Sequence, residues 1–300
     1  MMRVRIDLEN HLSHRKFVNK KNHKSELARV ISYLEKVPGH KIMGVVDWGD
    51  SRCKNLIESD LELSEKIDDN SVYISDAKTI IIRGEEVETD VGHMLAIGLP
   101  IFSYGFPREE VKGSEGLLKF GKICEDNGFI GIVGDCGEYG KLKDVLDGDL
   151  WKKFSGVKVW ASEKDPRPGG WGQYNRASKF FDFMSYEFGN QAKGEMVTTD
   201  GHRMNMFNSC NLASVDWEKF MEGNVVENLK GVVGALKIVD SVRRKDRVGT
   251  AIHSLFAGWD NRLKEKSLGL FKPGDPFKQG YKPGKMEKWI SDRGIGPFKV

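Results

Sequence analysis

Cysteine is scarce, and what there is lies scattered: Cys53, Cys124, Cys136 and Cys210 form no C-x-x-C pair. That spacing argues against a zinc-finger type of site and reads as structural thiols. An excess of one charge sign is lacking too, since a formal net charge of +3 does not by itself announce a nucleic-acid binder. Two local basic runs, HRKFVNKKNHK (14–24) and SVRRKDR (241–247), read first as solvated faces and second as phosphate contacts. No apolar run approaches the roughly 20 residues that span a bilayer. The opening MMRVRIDLEN carries charges where a secretory leader keeps its apolar stretch, so the cytoplasm is the expected compartment. There is no internal repeat, and low complexity is confined to FKPGDPFKQGYKPGK (271–285).

What is present is enough apolar material for a core, 39% of residues against 30% charged, in a length that suits one large domain. Short runs rich in Val and Ile recur: MRVRI (2–6), KIMGVV (41–46), TIIIR (79–83), HMLAIGL (93–99), FIGIV (129–133), VKVWA (157–161) and EMVTT (195–199). They have the look of buried strands. Between them lie segments with helical spacing. SELARVISYLEKV (25–37) puts Leu27, Val30, Ile31 and Leu34 on one stripe with Ser25 as N-cap, and the segments 113–128 and 177–189 each end on a glycine. DPRPGGWGQYNR (165–176) reads as a Gly-rich surface loop or lid, with Trp171 or Tyr174 available to stack on a base or sugar. Beyond Asp216 the chain reads as helices, with Val225, Leu229, Val232, Val233, Leu236 and Val239 forming an apolar stripe that packs on the rest. Strand–helix alternation on this scale implies a parallel α/β barrel or a doubly wound sheet. The expected organisation is a barrel over residues 1–222 and helices with the Lys/Pro/Gly-rich tail over 223–300.

The position of the polar residues narrows this. Asp7, Glu9 and His11 follow the first run, and Asp47 ends the second. Glu85 and Glu86 follow the third, and His93 opens the fourth. Asp135 follows FIGIV, and Asp200 and His202 follow EMVTT. In a parallel barrel, groups just past the strand C-termini converge on one face. Carboxylates and imidazoles gathered there repel and desolvate one another unless a cation neutralises them, which points to a metal site. Glu9-x-His11 and Asp200-x-His202 each put two side chains on the same side of an extended segment, about 7 Å apart at the backbone. Glu86, with two oxygens, can bridge two ions. His14, His23, His40 and His253 lack such a pattern and read as surface groups.

These residues resemble the motifs of the polymerase-and-histidinol-phosphatase (PHP) family. IDLENH (6–11) is similar to the family's opening D-L-H-x-H, with Glu9 at the first histidine. VDWGD resembles its T-D-H, keeping Asp47 and placing Trp48 at the histidine. RGEEVETDVGHMLAIGL (83–99) resembles G-x-E followed by G-H, with Glu86 and His93 in the matching places. GDCG (134–137) stands for A-H-P with Asp135 at the histidine, VKVWA for I-E-V-x-N with Lys158 at the glutamate, and TTDGH for S-D-x-H with Asp200 and His202.

The resemblance spans about residues 2–215. It implies a distorted (β/α)7 barrel of the PHP type with a C-terminal helical extension, and a phosphoesterase, either phosphatase or nuclease, that hydrolyses a phosphate ester such as a nucleotide or nucleic acid. It implies Glu9, His11, Glu86, His93, Asp135, Asp200 and His202 as metal ligands, and Asp47, Asp135 and Lys158 in catalytic roles. Glu9 and Asp135 replace nitrogen by oxygen, which favours Mn²⁺ or Mg²⁺ over Zn²⁺, with one or two ions bound. Trp48 cannot ligate. Lys158 brings a positive charge that can substitute for an ion or meet a phosphate. The alternative is a non-catalytic barrel that binds nucleic acid or protein, as in the barrel subunit of ribonuclease P.

Overall fold

All seven Val/Ile-rich runs are strands. The computed structural model describes residues 1–11, 23–47, 65–89, 91–100, 111, 115–134, 139–162, 170–189, 193–200 and 206–244. In chain order these form β1 (Met2–Asn10), α1 (His23–Leu34), β2 (His40–Asp47), β3 (Glu65–Lys66), β4 (Ser71–Ile74), β5 (Thr79–Thr89) and β6 (Gly92–Ile97). Then come α2 (Gly116–Asn127), β7 (Ile130–Val133), α3 (Tyr139–Val145), α4 (Gly148–Lys153), β8 (Phe154–Ala161), α5 (Gly170–Phe188) and β9 (Gly194–Thr198). The described chain ends with β10 (Cys210–Val215), α6 (Trp217–Met221), α7 (Val225–Gly234) and β11 (Ser241–Val242).

The strands join in the order β11-β10-β1-β2-β5-β6-β7-β8-β9, with the β3–β4 hairpin laid along the first half of β5. The expected all-parallel (β/α)7 pattern is corrected here. Strands β1, β2, β5, β7, β8 and β9 run one way, while β6, β4 and β10 run against their neighbours. The cause is loop length. Only Asp90 and Val91 separate β5 from β6, and a parallel crossover needs a dozen residues or more.

The two ends of this sheet approach each other. Val197 N–H on β9 donates to Asn211 Oδ1 on β10 (2.8 Å), and Asn211 Nδ2 returns a bond to Glu195 O (3.0 Å). The result is a nearly closed barrel of mixed strands with helices outside.

Side-chain alternation sorts the core into an inside and an outside. Inward residues Val4, Ile6, Leu8, Ile42, Val46, Ile80, Ile82, Leu95, Ile97, Ile130, Ile132 and Met196 form one apolar cluster, closed at one end by Trp217, Phe220, Val225, Leu229 and Val233 of α6 and α7. Outward residues of β6–β9 pack under α2–α5, and those of β2, β4 and β5 pack with Val30, Ile31 and Leu34 of α1. Helix α2 stops where the sequence expects: Gly128 takes φ 73°, its N–H bonds Glu125 O, and Phe129 N–H bonds Cys124 O at 2.8 Å.

Several other expectations are corrected. Helix α1 begins at His23, so Ser25 lies within it and does not precede it. Residues 170–176 of the expected Gly-rich loop form the first turns of α5, and 165–169 lie outside the described residues. Helix α7 ends at Gly234, Val239 is exposed, and 241–242 pair with β10 as a strand. The expected helices from 250 onward and the 271–285 tail lie outside the described residues. No described helix is long and apolar enough to cross a membrane.

One irregularity matters for the site. Between Asp7 and Asn10, β1 advances three residues while β2 advances two, from Met43 to Val45. This β-bulge resets the alternation. Val4, Ile6 and Leu8 point inward, and regular pleating would send Asn10 after them; with the extra residue, Glu9 turns inward instead. Gly44 permits it, because a Cβ there would lie 2.5 Å from Leu8 O. Asn10 Nδ2 staples the bulge by donating to Asp7 O and Gly44 O, each at 3.2 Å. We expect Gly44→Ala to cost about 1–3 kcal/mol by prying β1 from β2, measured by chemical denaturation. A loss under 0.5 kcal/mol, about the size of an ordinary surface change, would count against so close an approach.

Candidate metal centre

The inward positions at one end of the barrel are polar instead of apolar. On β5 the inward series Ile80, Ile82, Gly84 ends in Glu86; on β6, Leu95 and Ile97 are preceded by His93; on β8, Gly156 is followed by Lys158; on β9, Met196 by Thr198. Because β6 runs against β5, its first residue lies at the same end as the last residues of the parallel strands. This is why a histidine opening a strand joins carboxylates that close others.

Glu9, His11 and Glu86 place ligand atoms within 4.8 Å of one another, all buried. His11 Nε2 lies 3.5 Å from Glu86 Oε2 and 3.4 Å from Asp200 Oδ1. His93 Nδ1 and Glu86 Oε1 share a short hydrogen bond across diagonal positions of β5 and β6. Lys158 Nζ donates to both oxygens of Glu9, each at 2.7 Å, and stands 3.5 Å from Asp200 Oδ2. Thr198 Oγ1 adds a donor to Glu9 Oε2 at 2.8 Å. Lys158 is wholly buried, so its ammonium serves the carboxylates of this chain.

Burial alone would push the Glu86 carboxyl up, but the hydrogen bond from His93 and the positive charges of His11, His93 and Lys158 outweigh it and hold the group at about 2. Glu86 is thus an anion, and the His93 ring donates through Nδ1–H. Among the described residues, the carboxylates of Glu9, Glu86 and Asp200 meet the Lys158 ammonium and the His11 and His93 rings here. Buried carboxylates this close repel one another, and a divalent ion would offset that repulsion. The donors fit such an ion: oxygens outnumber nitrogens, which suits Mn²⁺ or Mg²⁺.

Asp7, on the outward side of β1, holds the arm that carries Asp200. Its oxygens accept Thr199 N–H (3.0 Å) and Phe207 N–H (2.9 Å), the two ends of that arm. Asp200 takes φ 53° and Phe207 φ 62°, left-handed conformations that need such support. Asp200 therefore does not continue the extended strand that the Asp-x-His spacing presumes.

Of the residues singled out from sequence, the structure brings Glu9, His11, Glu86, His93, Lys158 and Asp200 together. Glu85, its neighbour's opposite in the pleat, is buried in β5 beside Asp47 of β2 in register. The Asp47 side chain, Trp48, Asp135 and His202 lie outside the described residues. Sequence reading missed Thr198 and the clamp role of Asp7. Thr198 carries no signal beyond its inward parity, while Asp7 stands two residues from Glu9 and was visible as a strand carboxylate without a partner in view.

No family model matches the chain, and no curated protein matches it. Among solved structures it is similar to PsfC from Pseudomonas syringae PB-5123, at 12% identity and a TM-score of 0.49, over 88% of this chain and 100% of that one. It is also similar to endonuclease Q in complex with a 27-mer duplex carrying an abasic lesion, at 18% identity and a TM-score of 0.43 over 74% of this chain. A third is the lesion-specific endonuclease PfuEndoQ from Pyrococcus furiosus, at 17% identity and a TM-score of 0.44 over 76% of this chain. The chain spans 56% of the length of either endonuclease. These likenesses are distant, and what the site can do follows from its own side chains.

Burial pushes the Asp7 carboxyl up to about 6 from the ordinary 3.8, against the hydrogen bonds from Thr199 and Phe207 that lower it. Between those values the folded chain holds a proton that the unfolded chain releases, so this group makes the protein less stable as pH rises from about 4 to 6. Asp7→Asn cannot ionise. We expect the stability of the native sequence relative to this variant to fall by up to about 3 kcal/mol across that window, read from denaturant unfolding at stepped pH. A difference that stays constant from pH 4 to 7 would refute the assignment.

Proposed function

We propose that the chain is a metal-dependent phosphoesterase, a phosphatase or nuclease of the PHP type, acting on a phosphate ester such as a nucleotide or nucleic acid. The observation that carries this is the buried meeting of Glu9, His11 and Glu86 with Asp200 at the barrel end, where Lys158 reaches both Glu9 and Asp200. His11, Glu86 and Asp200 are the residues that would hold a divalent ion, with Glu9 alongside and Asp47, Asp135, His93 and His202 as further candidates. When bound, Mn²⁺ or Mg²⁺ supplies Lewis acidity, acidifying water and offsetting charge on the phosphoryl oxygens.

The remaining steps belong to the chain's own groups. Glu86 orients the His93 ring through Nδ1. His93 is about one-third exposed where Glu86 is buried, so it is the member of the cluster placed to exchange a proton with a leaving-group oxygen. Lys158 neutralises Glu9 and lowers the repulsion an incoming phosphate meets. The barrel over 1–222 is the proposed catalytic unit, and the described residues that follow it pack on its apolar end.

One observation favours the rival reading, a barrel that binds nucleic acid or protein without catalysis: Lys158 satisfies both oxygens of Glu9 without any metal. Hydrolysis of bis(p-nitrophenyl) phosphate separates the two. We expect turnover with Mn²⁺ or Mg²⁺ above that with Zn²⁺, and a loss of roughly 100-fold in kcat/KM for Asp200→Asn. Absence of turnover with every ion, in a folded protein, would favour the binding barrel.

A further inference from the structure

We propose that this centre is built with two adjacent cation positions and that the ammonium of Lys158 permanently fills one of them, making the chain a one-ion protein. The inference rests on reading the cluster as a metal centre and deepens it by naming which position is closed.

The geometry divides in two around Asp200. Its Oδ1 faces His11 Nε2 at 3.4 Å, and its Oδ2 faces Lys158 Nζ at 3.5 Å. On the first side stand His11 and Glu86 Oε2 at 3.5 Å, a nitrogen and two oxygens directed at one another. On the second side stand Glu9, with both oxygens at 2.7 Å from Nζ, and Thr198. A carboxylate split between two neighbours is how an acidic residue bridges paired cations. Here one of the pair is a lysine.

Three features mark the second side as a cation position and not as an incidental ion pair. Glu9 grips the ammonium with both oxygens, as a carboxylate grips a metal ion. Lys158 is a compact point charge delivered from the opposite part of the barrel, 149 residues away in sequence. Glu9 reaches the interior only through the bulge of β1, so the backbone is bent to put an anion there. Without the ammonium, Glu9 and Asp200 would lose the positive charge that stands between them, and a divalent ion is what such an oxygen set recruits. The ammonium supplies charge but no Lewis acidity. His11, Glu86 and Asp200 are the residues that would hold the remaining ion, which would supply the Lewis acidity.

The test is the metal stoichiometry of the full chain, by equilibrium dialysis and electron paramagnetic resonance with Mn²⁺, for the native sequence, Lys158→Met and Lys158→Met with Glu9→Gln. We expect one Mn²⁺ in the native chain and two in Lys158→Met, with a spectrum broadened by neighbouring spins, and a return to one in the double variant. The same non-zero stoichiometry in the native chain and Lys158→Met would overturn this inference and leave the metal-centre reading standing. No ion in the native chain but one in Lys158→Met would overturn the one-ion assignment together with the metal-centre reading of the native chain. No ion in either would overturn both. If Lys158→Met unfolds in metal-free buffer, recovery of its native circular dichroism on adding Mn²⁺ supports the inference, and failure to recover it overturns it.

Discussion

A charge buried inside a β barrel has to be met by another, and in this chain Lys158 and Glu9 meet each other where the strands end. Neither could be there alone: removing one partner of a buried pair leaves the other stranded, at a cost of about 3–5 kcal/mol. The pair ties β8 to β1 across the interior, and the remaining polar groups are arranged around it. Thr198 completes Glu9, Asp200 reaches the ammonium from the arm after β9, and Glu86 holds its charge because His11, His93 and Lys158 surround it. Burial strengthens each of these contacts by lowering the local dielectric, and makes each missing partner more costly for the same reason.

The backbone is adapted to that cluster at three points. The bulge in β1 turns Glu9 inward, and Gly44 leaves room for it. The reversed β6 brings His93 to the end where the parallel strands finish. The Asp7 clamp fixes both ends of the arm through Thr199 and Phe207, which lets Asp200 hold a left-handed conformation and aim at His11. Such departures from regular geometry persist only where the surroundings over-determine them, and they gather at functional sites.

Among the described residues, the apolar closure of the barrel lies at the end opposite the charged cluster. Helices α6 and α7 close the opposite end with Trp217, Phe220 and Val225 in the inner core, and Asn224 caps α7 by accepting from Val226 and Glu227. The seam between β9 and β10 is sealed by the side chain of Asn211, so the sheet reaches near-closure without a continuous ladder there. One end is thus filled with apolar side chains and the other with charged ones, the division of labour that lets a barrel carry chemistry without losing its core.

How much of this was legible beforehand depends on whether the deciding physics was local. Every Val/Ile-rich run from MRVRI to EMVTT became a strand, since β-branched runs of that length have few other ways to bury themselves. Glu9, His11, Glu86, His93 and Asp200 could be singled out because polar residues at strand ends have a common direction in a barrel, and Lys158 only through its place in the motif that VKVWA resembles. The reversal of β6 is written in the two-residue gap after Thr89, too short for a parallel crossover, while the repeating run pattern around it suggests a parallel strand. Strands β10 and β11 lay hidden because CNLASV and SV are too short and mixed to show a period; pairing of β10 with β1, and of β11 with β10, is what makes them strands. The local sequence therefore determined the strands and the chemical character of the site. Tertiary structure alone decided that Glu9 faces inward, that Lys158 takes both its oxygens, and that Asp7 holds the arm of Asp200, because those contacts join residues 149 to 200 positions apart and depend on a bulge that no single stretch of chain encodes.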